Sequence, residues 1–180
     1  MSKLYALPVR MTDSEPEQPD ILHILSSLGI SYEMQEHRAI FSEKDGAGVE
    51  ITLPGTEVKN LFVRDKGGRY ALVSMALHRR ADLGKIARRL GTGRLSFCSA
   101  DELWQLLHIT PGSVSPLCVM FDTDCRVRLL FDKNLEGGRV IVHPLRNTAS
   151  ISISFDDLKR FVRRCGHEVL TADVYRDEAD

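Results

Sequence analysis

The stretch Glu57 to Met75, EVKNLFVRDKGGRYALVSM, restricts the fold more than any other part of the chain. Leu61 and Val63 alternate with Phe62 and Arg64, Asp65-Lys66-Gly67-Gly68 supplies turn residues, and Tyr70 to Met75 is a second apolar run. Side chains of a strand alternate between two faces, and glycines release the backbone for a tight reversal. The pattern therefore predicts a β-hairpin. Its beginning is unusual: a cation and an amide, Lys59-Asn60, lead into an otherwise apolar strand.

Around the hairpin the pattern alternates between helix and strand. Pro19-Asp20 opens a helix with Ile21, Leu22, Leu25 and Leu28 on one face and Gly29 at its end, and a strand is expected over Ile30–Gln35. The segment from Glu36 to Glu57 reads as loop with room for one helical turn. Asp82 can cap a second helix, whose Leu83, Ile86, Ala87 and Leu90 fall at i, i+3, i+4 and i+7. Ser99 and Glu102 form a capping box for a third helix through Leu107. Apolar runs at Leu117–Phe121, Val127–Phe131 and Val140–Val142, followed by the alternating ISISF, read as strands. A last helix begins at Ser154 or Asp156, with Leu158, Phe161, Val162 and Cys165 on one face. Strand runs joined by short turns favour an α+β domain with a mixed, mostly antiparallel twisted sheet flanked by helices. The expected division is a loosely packed extension over 1–18, one domain over 19–175 and a short tail over 176–180.

Charge and cysteine usage exclude several classes. The net charge of −1 confines nucleic-acid binding to local patches. The four cysteines, Cys98, Cys118, Cys125 and Cys165, include no CxxC pair, and no histidine completes a zinc spacing, so reduced thiols in a cytoplasm are expected. The N-terminus lacks the apolar core of a secretory signal, and no stretch approaches the roughly 20 apolar residues that span a bilayer. There is no GxSxG elbow, no Walker loop and no GxGxxG after a strand.

Four features can carry chemistry. Lys59 at a strand end can present a rigid point charge to a phosphate, with Asn60 beside it; an ordinary surface lysine fits the pattern too. In TPGSVSP, Thr110 to Pro116, the backbone amides of Gly112, Ser113, Val114 and Ser115 can form a concave nest of donors suited to an oxyanion, although a plain turn also accounts for these seven residues. In VHPLRNTAS, His143 ends an apolar strand and is followed by Asn147, and it reads either as a pocket wall or as a hydrogen-bonded structural histidine. Finally, His78, Arg79, Arg80, Lys85, Arg88, Arg89 and Arg94 crowd together with Asp82 as their only acid, which suits either a solvated helix face or a phosphate backbone.

The order of these strings is more telling than any one of them. VKNLFVRDKGGRYALVSM, SADELWQLLHITPGSVSPLCVMFD and VHPLRNTASISISFDDLKRFV, in that sequence over about residues 20 to 174, resemble the YbaK/prolyl-tRNA-synthetase editing-domain family. Within it the chain is most similar to the free-standing prolyl-tRNA editing members of the ProXp-ala/PrdX type. The resemblance implies a trans-editing deacylase that cleaves the ester of a wrong amino acid on tRNA, alanine on proline tRNA in the nearest subgroup. It makes Lys59 the hallmark lysine, with Asn60 beside it. Gly112 falls in the loop whose backbone faces the substrate, with Ser113, Val114 and Ser115, and Pro116 closes that loop. His143 and Asn147 fall on the pocket side. The segment EHRAIFS, with His37, Phe41 and Ser42, forms another wall, and Ser42 stands where relatives commonly carry threonine.

The mechanism so implied uses water as the nucleophile and no metal or organic cofactor. The expected partner is the aminoacylated acceptor end of a tRNA, gripped by Arg79, Arg80, Arg88 and Arg89. Prolyl-tRNA synthetase is a further partner that the resemblance leaves open. The rivals are a deacylase for cysteine on proline tRNA, a non-catalytic aminoacyl-tRNA-binding module, and a cysteine hydrolase, the last disfavoured by the lack of a partner histidine.

Overall fold

A computed structural model of the protein describes residues 20–40 and 48–176. The expected N-terminal extension, Phe41, Ser42 and the tail beyond Arg176 lie outside the described residues. Asp20 caps helix α1 (Ile21–Ser27), its Oδ1 accepting from the amides of Leu22 and His23. The strands are β1 (Tyr32–Glu36), β2 (Thr56–Arg64), β3 (Tyr70–Ala76), β4 (Ser96–Phe97), β5 (Val127–Asp132), β6 (Arg139–Val142), β7 (Ala149–Ser154) and β8 (Val169–Ala172). Helices α2 (Leu83–Leu90), α3 (Ala100–Leu107) and α4 (Phe155–Arg164) complete the layers. Asp82, Ser99 and Ser154 cap them through side-chain oxygens, and the Ser99–Glu102 capping box is formed.

The sheet runs β1-β7-β6-β2-β3-β5-β8, with β4 also on β2. The β1/β7, β6/β7, β2/β3 and β2/β4 pairs are antiparallel, and β2/β6, β3/β5 and β5/β8 are parallel. The α+β class with a mixed, mostly antiparallel sheet is therefore as the sequence predicts. Three local readings change. The run Leu117–Phe121 is part of a 3-10 helix, Pro116–Phe121, rather than a strand. Ser115 caps that turn and Pro116 fixes its first φ, while Leu117, Cys118 and Val119 are all buried, so no periodicity separated helix from strand. The strand expected over Ile30–Gln35 starts instead at Tyr32. The strands β4 and β8 were not predicted; both are short and neither has a buried residue.

Alternation along β2 divides the core. Phe62 joins Leu72, Leu129 and Phe131 in a layer covered by α1, α3 and α4, whereas Val63 joins Val73, Met75 and Leu130 against Ile86 and Leu90 of α2. In the first layer Phe155 stands edge-on to Phe131, with ring centroids 5.3 Å apart, an arrangement that contributes about 0.5–1.5 kcal/mol beyond burial.

The hairpin turn is organised by Asp65, which is 2% exposed. Its carboxylate accepts from the amides of Gly67, Arg69 and Gly93, at 2.9, 3.1 and 3.2 Å, and from Arg69 Nε at 2.8 Å. The Arg69 side chain, aided by these amides, holds the carboxyl down at a pKa of about 2. A depressed carboxyl stabilises the fold above its unfolded pKa, and that contribution is lost as pH falls towards 2. The urea midpoint of the protein is therefore expected to fall between pH 4 and pH 2. Asp65→Asn should start lower and lose this part of the pH dependence; a variant that tracks the wild-type slope would remove Asp65 as its source.

Candidate active site

Strand β2 carries the site because its edge away from β3 is shared. That edge pairs with β6 at Thr56 and Glu57 and with β4 at Val63 and Arg64. Between them, Val58 to Leu61 have no strand partner on that edge among the described residues. The Thr110–Pro116 loop reaches β2 at this break. Asn60 Nδ2 donates to the carbonyl of Val114 at 2.9 Å, and Ser74 Oγ donates to Asn60 Oδ1 at 2.6 Å. Asn60 is therefore a clamp that joins β3, β2 and the loop.

The loop has a defined shape. Ser113 N donates to Thr110 O at 3.1 Å, with Pro111 second in the turn and Gly112 third at φ +90°, the signature of a type II turn. Only glycine adopts that φ without strain. Ser115 is fully buried, its Oγ accepting from Leu117 N, and Pro116 is buried behind it. Ser115 and Pro116 thus build the 3-10 helix that holds the loop. The expected nest of four amides is reduced, since the turn uses that of Ser113. The amides of Gly112, Val114 and Ser115 make no hydrogen bond to another described residue.

Two histidines stand together just past the ends of β1 and β6, the strands on either side of β7. His143 Nδ1 lies 2.9 Å from the carbonyl of Ala149. A carbonyl only accepts, so Nδ1 carries the proton and Nε2 keeps its lone pair. Burial pushes the pKa of His143 down, so the ring is neutral at pH 7. His37 Nδ1 likewise donates to Arg38 O at 2.8 Å, and its Nε2 lies 3.0 Å from Ser150 Oγ in a hydrogen bond. The two rings are 5.9 Å apart. Backbone bonds from His37 N to Thr148 O and from Ile40 N to Asn147 O fasten this wall, so Asn147 contributes its carbonyl.

Lys59 is half-buried and aligned with Met75 of β3. Alternation turns it away from Asn60, to the face that carries Glu57, Leu61 and Val63. Glu57 faces Ile141 across the parallel β2/β6 pair, and its charge acts on His143. The same register carried two residues further brings His143 level with Lys59. The structure thus draws Lys59, Glu57 and His143 to one face, and it is Asn60, not Lys59, whose side chain meets the loop.

From Lys59 a groove of about 480 Å³ continues past Leu61 to Phe97, bordered by Arg80, Asp82 and Arg176. Of the four arginines expected to hold tRNA, Arg80 lies here. Arg79 sits 4.4 Å over the Tyr175 ring, Arg88 lies near the Asp82 cap, and Arg89 Nε donates to Thr171 O at 3.4 Å. Glu57, Ser74, Ser150 and Phe97 were not singled out from sequence. Strand alternation around Lys59, and in ISISF extended back by one residue, could have found Glu57 and Ser150, but nothing local marked Ser74 or Phe97.

Other chemistries find little support in the described residues. Burial pushes the thiols of Cys98, Cys118 and Cys165 up to about 12, which leaves them protonated. Among the described residues no group of three or more His, Cys, Asp or Glu side chains is placed to hold a metal ion, and no helix is long and apolar enough to cross a membrane.

Comparison with known proteins identifies the family. The model of the aminoacyl-tRNA editing domain matches residues 42–161. The prolyl-tRNA editing protein ProX of Acetoanaerobium sticklandii is 37% identical over 145 residues, covering 79% of this chain and 88% of that protein. Prolyl-tRNA synthetase associated domain-containing protein 1 of Bos taurus is 34% identical over 150 residues, covering 80% and 87%. A crystal structure described as that of a candidate trans-editing enzyme for prolyl-tRNA synthetase superposes with a TM-score of 0.64 at 22% identity, covering 89% of this chain and 99% of that one. The chain belongs to the aminoacyl-tRNA editing domain family, and its activity is that of an aminoacyl-tRNA deacylase.

Proposed function

We propose that the protein edits in trans, in a cytoplasm, and hydrolyses the ester that joins alanine to proline tRNA. The observation that carries this reading is the convergence on β2: a cation at Lys59, a neutral histidine level with it, and the glycine-bearing loop clamped by the next residue, Asn60. Lys59 would hold the phosphate of the terminal adenosine, which fixes the ester in place. His143 Nε2, as an acceptor, suits the α-ammonium of the amino acid or the attacking water. The amides of Gly112 and Val114 are the donors available to the tetrahedral oxyanion. Water adds to the carbonyl carbon, the bond to the ribose oxygen breaks, and that oxygen takes up the proton. Free amino acid and tRNA leave. No metal is assigned a role.

Size selection explains why such an enzyme is needed. A synthetase that accepts proline gains only about 1–3 kcal/mol of discrimination from each missing methylene of alanine. A second, smaller pocket admits alanine and rejects proline by collision. His37 and His143 form one wall of that pocket, and the segment with Phe41 and Ser42 is proposed for the other.

The test is hydrolysis of alanyl-, cysteinyl-, seryl- and prolyl-tRNA(Pro), with and without EDTA. Alanyl-tRNA(Pro) should be cleaved fastest, prolyl-tRNA(Pro) spared, and chelation without effect. Preferred cleavage of the cysteinyl ester would reassign the substrate, no cleavage of any ester would leave a binding module, and inhibition by EDTA would overturn the metal-free step.

A further inference from the structure

Phe97 is 62% exposed, the most exposed large apolar side chain among the described residues, on a two-residue strand that pairs with β2. Its cross-strand partner is Val63, so its ring projects on the face that carries Leu61 and Lys59. The groove that begins at Lys59 ends at this ring, and Leu61 and Leu83 give it an apolar floor. Three cations, Lys59, Arg80 and Arg176, border it against one acid, Asp82. That acid is engaged, since its Oδ1 accepts the Lys85 amide at 2.9 Å as the cap of α2.

An exposed aromatic ring beside cations in an open groove matches the chemistry of unpaired nucleotides. Any base can stack on the ring, while the cations follow the phosphates. Val63 lies four residue steps beyond Lys59, so the ring stands roughly 13 Å along β2 from the lysine. With the terminal adenosine held at Lys59, that separation suits a nucleotide shortly upstream. We propose that Phe97 is a stacking platform for the unpaired nucleotides 5′ of the terminal adenosine, with Arg80 and Arg176 on their phosphates. This rests on the tRNA reading above and extends the site from the reacting ester to the single-stranded end of the acceptor.

Two measurements test it separately from that reading. In the first, Phe97→Ala is compared with wild type on alanyl-tRNA(Pro) and on alanyl-adenosine, which has no upstream nucleotide. Loss of one stacked base should raise KM for the tRNA by roughly 5- to 150-fold with kcat little changed. Hydrolysis of alanyl-adenosine should be unaltered, and Phe97→Tyr should restore tRNA binding. An unchanged KM for tRNA, or an equal loss on both substrates, overturns the platform. The second needs no catalysis. Phe97→Trp in a Trp104→Phe background places the only tryptophan in the groove. Its fluorescence should be quenched saturably by an oligoribonucleotide that ends in CCA and carries no amino acid, and absence of quenching overturns the proposal. Quenching without ester hydrolysis by the wild type would defeat the editing reading and keep the platform. Hydrolysis that is indifferent to Phe97 would do the reverse.

Discussion

Lys59→Ala is expected to reduce kcat/KM on alanyl-tRNA(Pro) by about a hundredfold, because a hydrogen bond to a charged partner is worth about 1.5–3 kcal/mol and each 1.4 kcal/mol is tenfold. The fold should survive. Lys59 is half-buried on the outer part of its face, while the core residues of β2 are Phe62 and Val63. Thermal unfolding should therefore stay close to wild type, as it does for most substitutions away from a core. Lys59→Met separates the charge from the aliphatic stem and should be as inactive as Lys59→Ala. Lys59→Arg keeps the charge in a broader, planar group and should retain part of the activity. A well-folded Lys59→Ala protein that deacylates at the wild-type rate would take the lysine out of the mechanism.

The second large effect belongs to Asn60→Asp. The change keeps the shape but replaces the Nδ2 donor with an oxygen facing the Val114 carbonyl, 2.9 Å away in the native protein. Two acceptors then meet in a part-buried place, and only the Ser74 hydroxyl still donates to the side chain. A buried acceptor left without its donor costs about 1–3 kcal/mol, and more if it is charged. The loop with Gly112 should loosen from β2, lowering kcat by at least about tenfold at 1.4 kcal/mol per tenfold. The defect should depend on pH. The introduced carboxyl is favoured in its protonated form, which can donate to Val114 O, so its folded pKa lies above its unfolded one. The folded state is then penalised as pH rises and relieved as pH falls towards 4. Unfolding midpoints of variant and wild type, measured at pH 5 and pH 8, should converge at the lower value. Equal differences at both pH values would show that the donor to Val114 is not what matters.

Much of this fold was legible in the sequence because local chemistry and packing agree. Asp20, Asp82, Ser99 and Ser154 cap the helices they were expected to open, and the hairpin turns where Asp65 and two glycines permit. Legibility failed where burial was uniform or pairing was distant. Leu117–Phe121 is apolar throughout, so its 3-10 path carries no periodic mark. The strand β8 depends on β5, some forty residues earlier. For the site, the residue types were readable and their directions were not. Lys59-Asn60 stood out as a pair, yet alternation sends the two to opposite faces, giving Asn60 a clamp and Lys59 the groove. Of the four loop amides, only that of Ser113 is taken by the turn, while Ser115 gives its side-chain oxygen to the 3-10 cap.

The interrupted edge of β2 also bears on how a new acyl preference could arise. That strand is locked on both sides by side chains of two packed layers, so any shift along it disturbs the whole molecule at once. The flanks beyond β1 and β6 that carry His37 and His143 are held instead by local hydrogen bonds to Arg38, Ser150 and Ala149. Retuning towards a larger or smaller amino acid is therefore cheapest in those flanks, with the lysine and the clamp inherited unchanged.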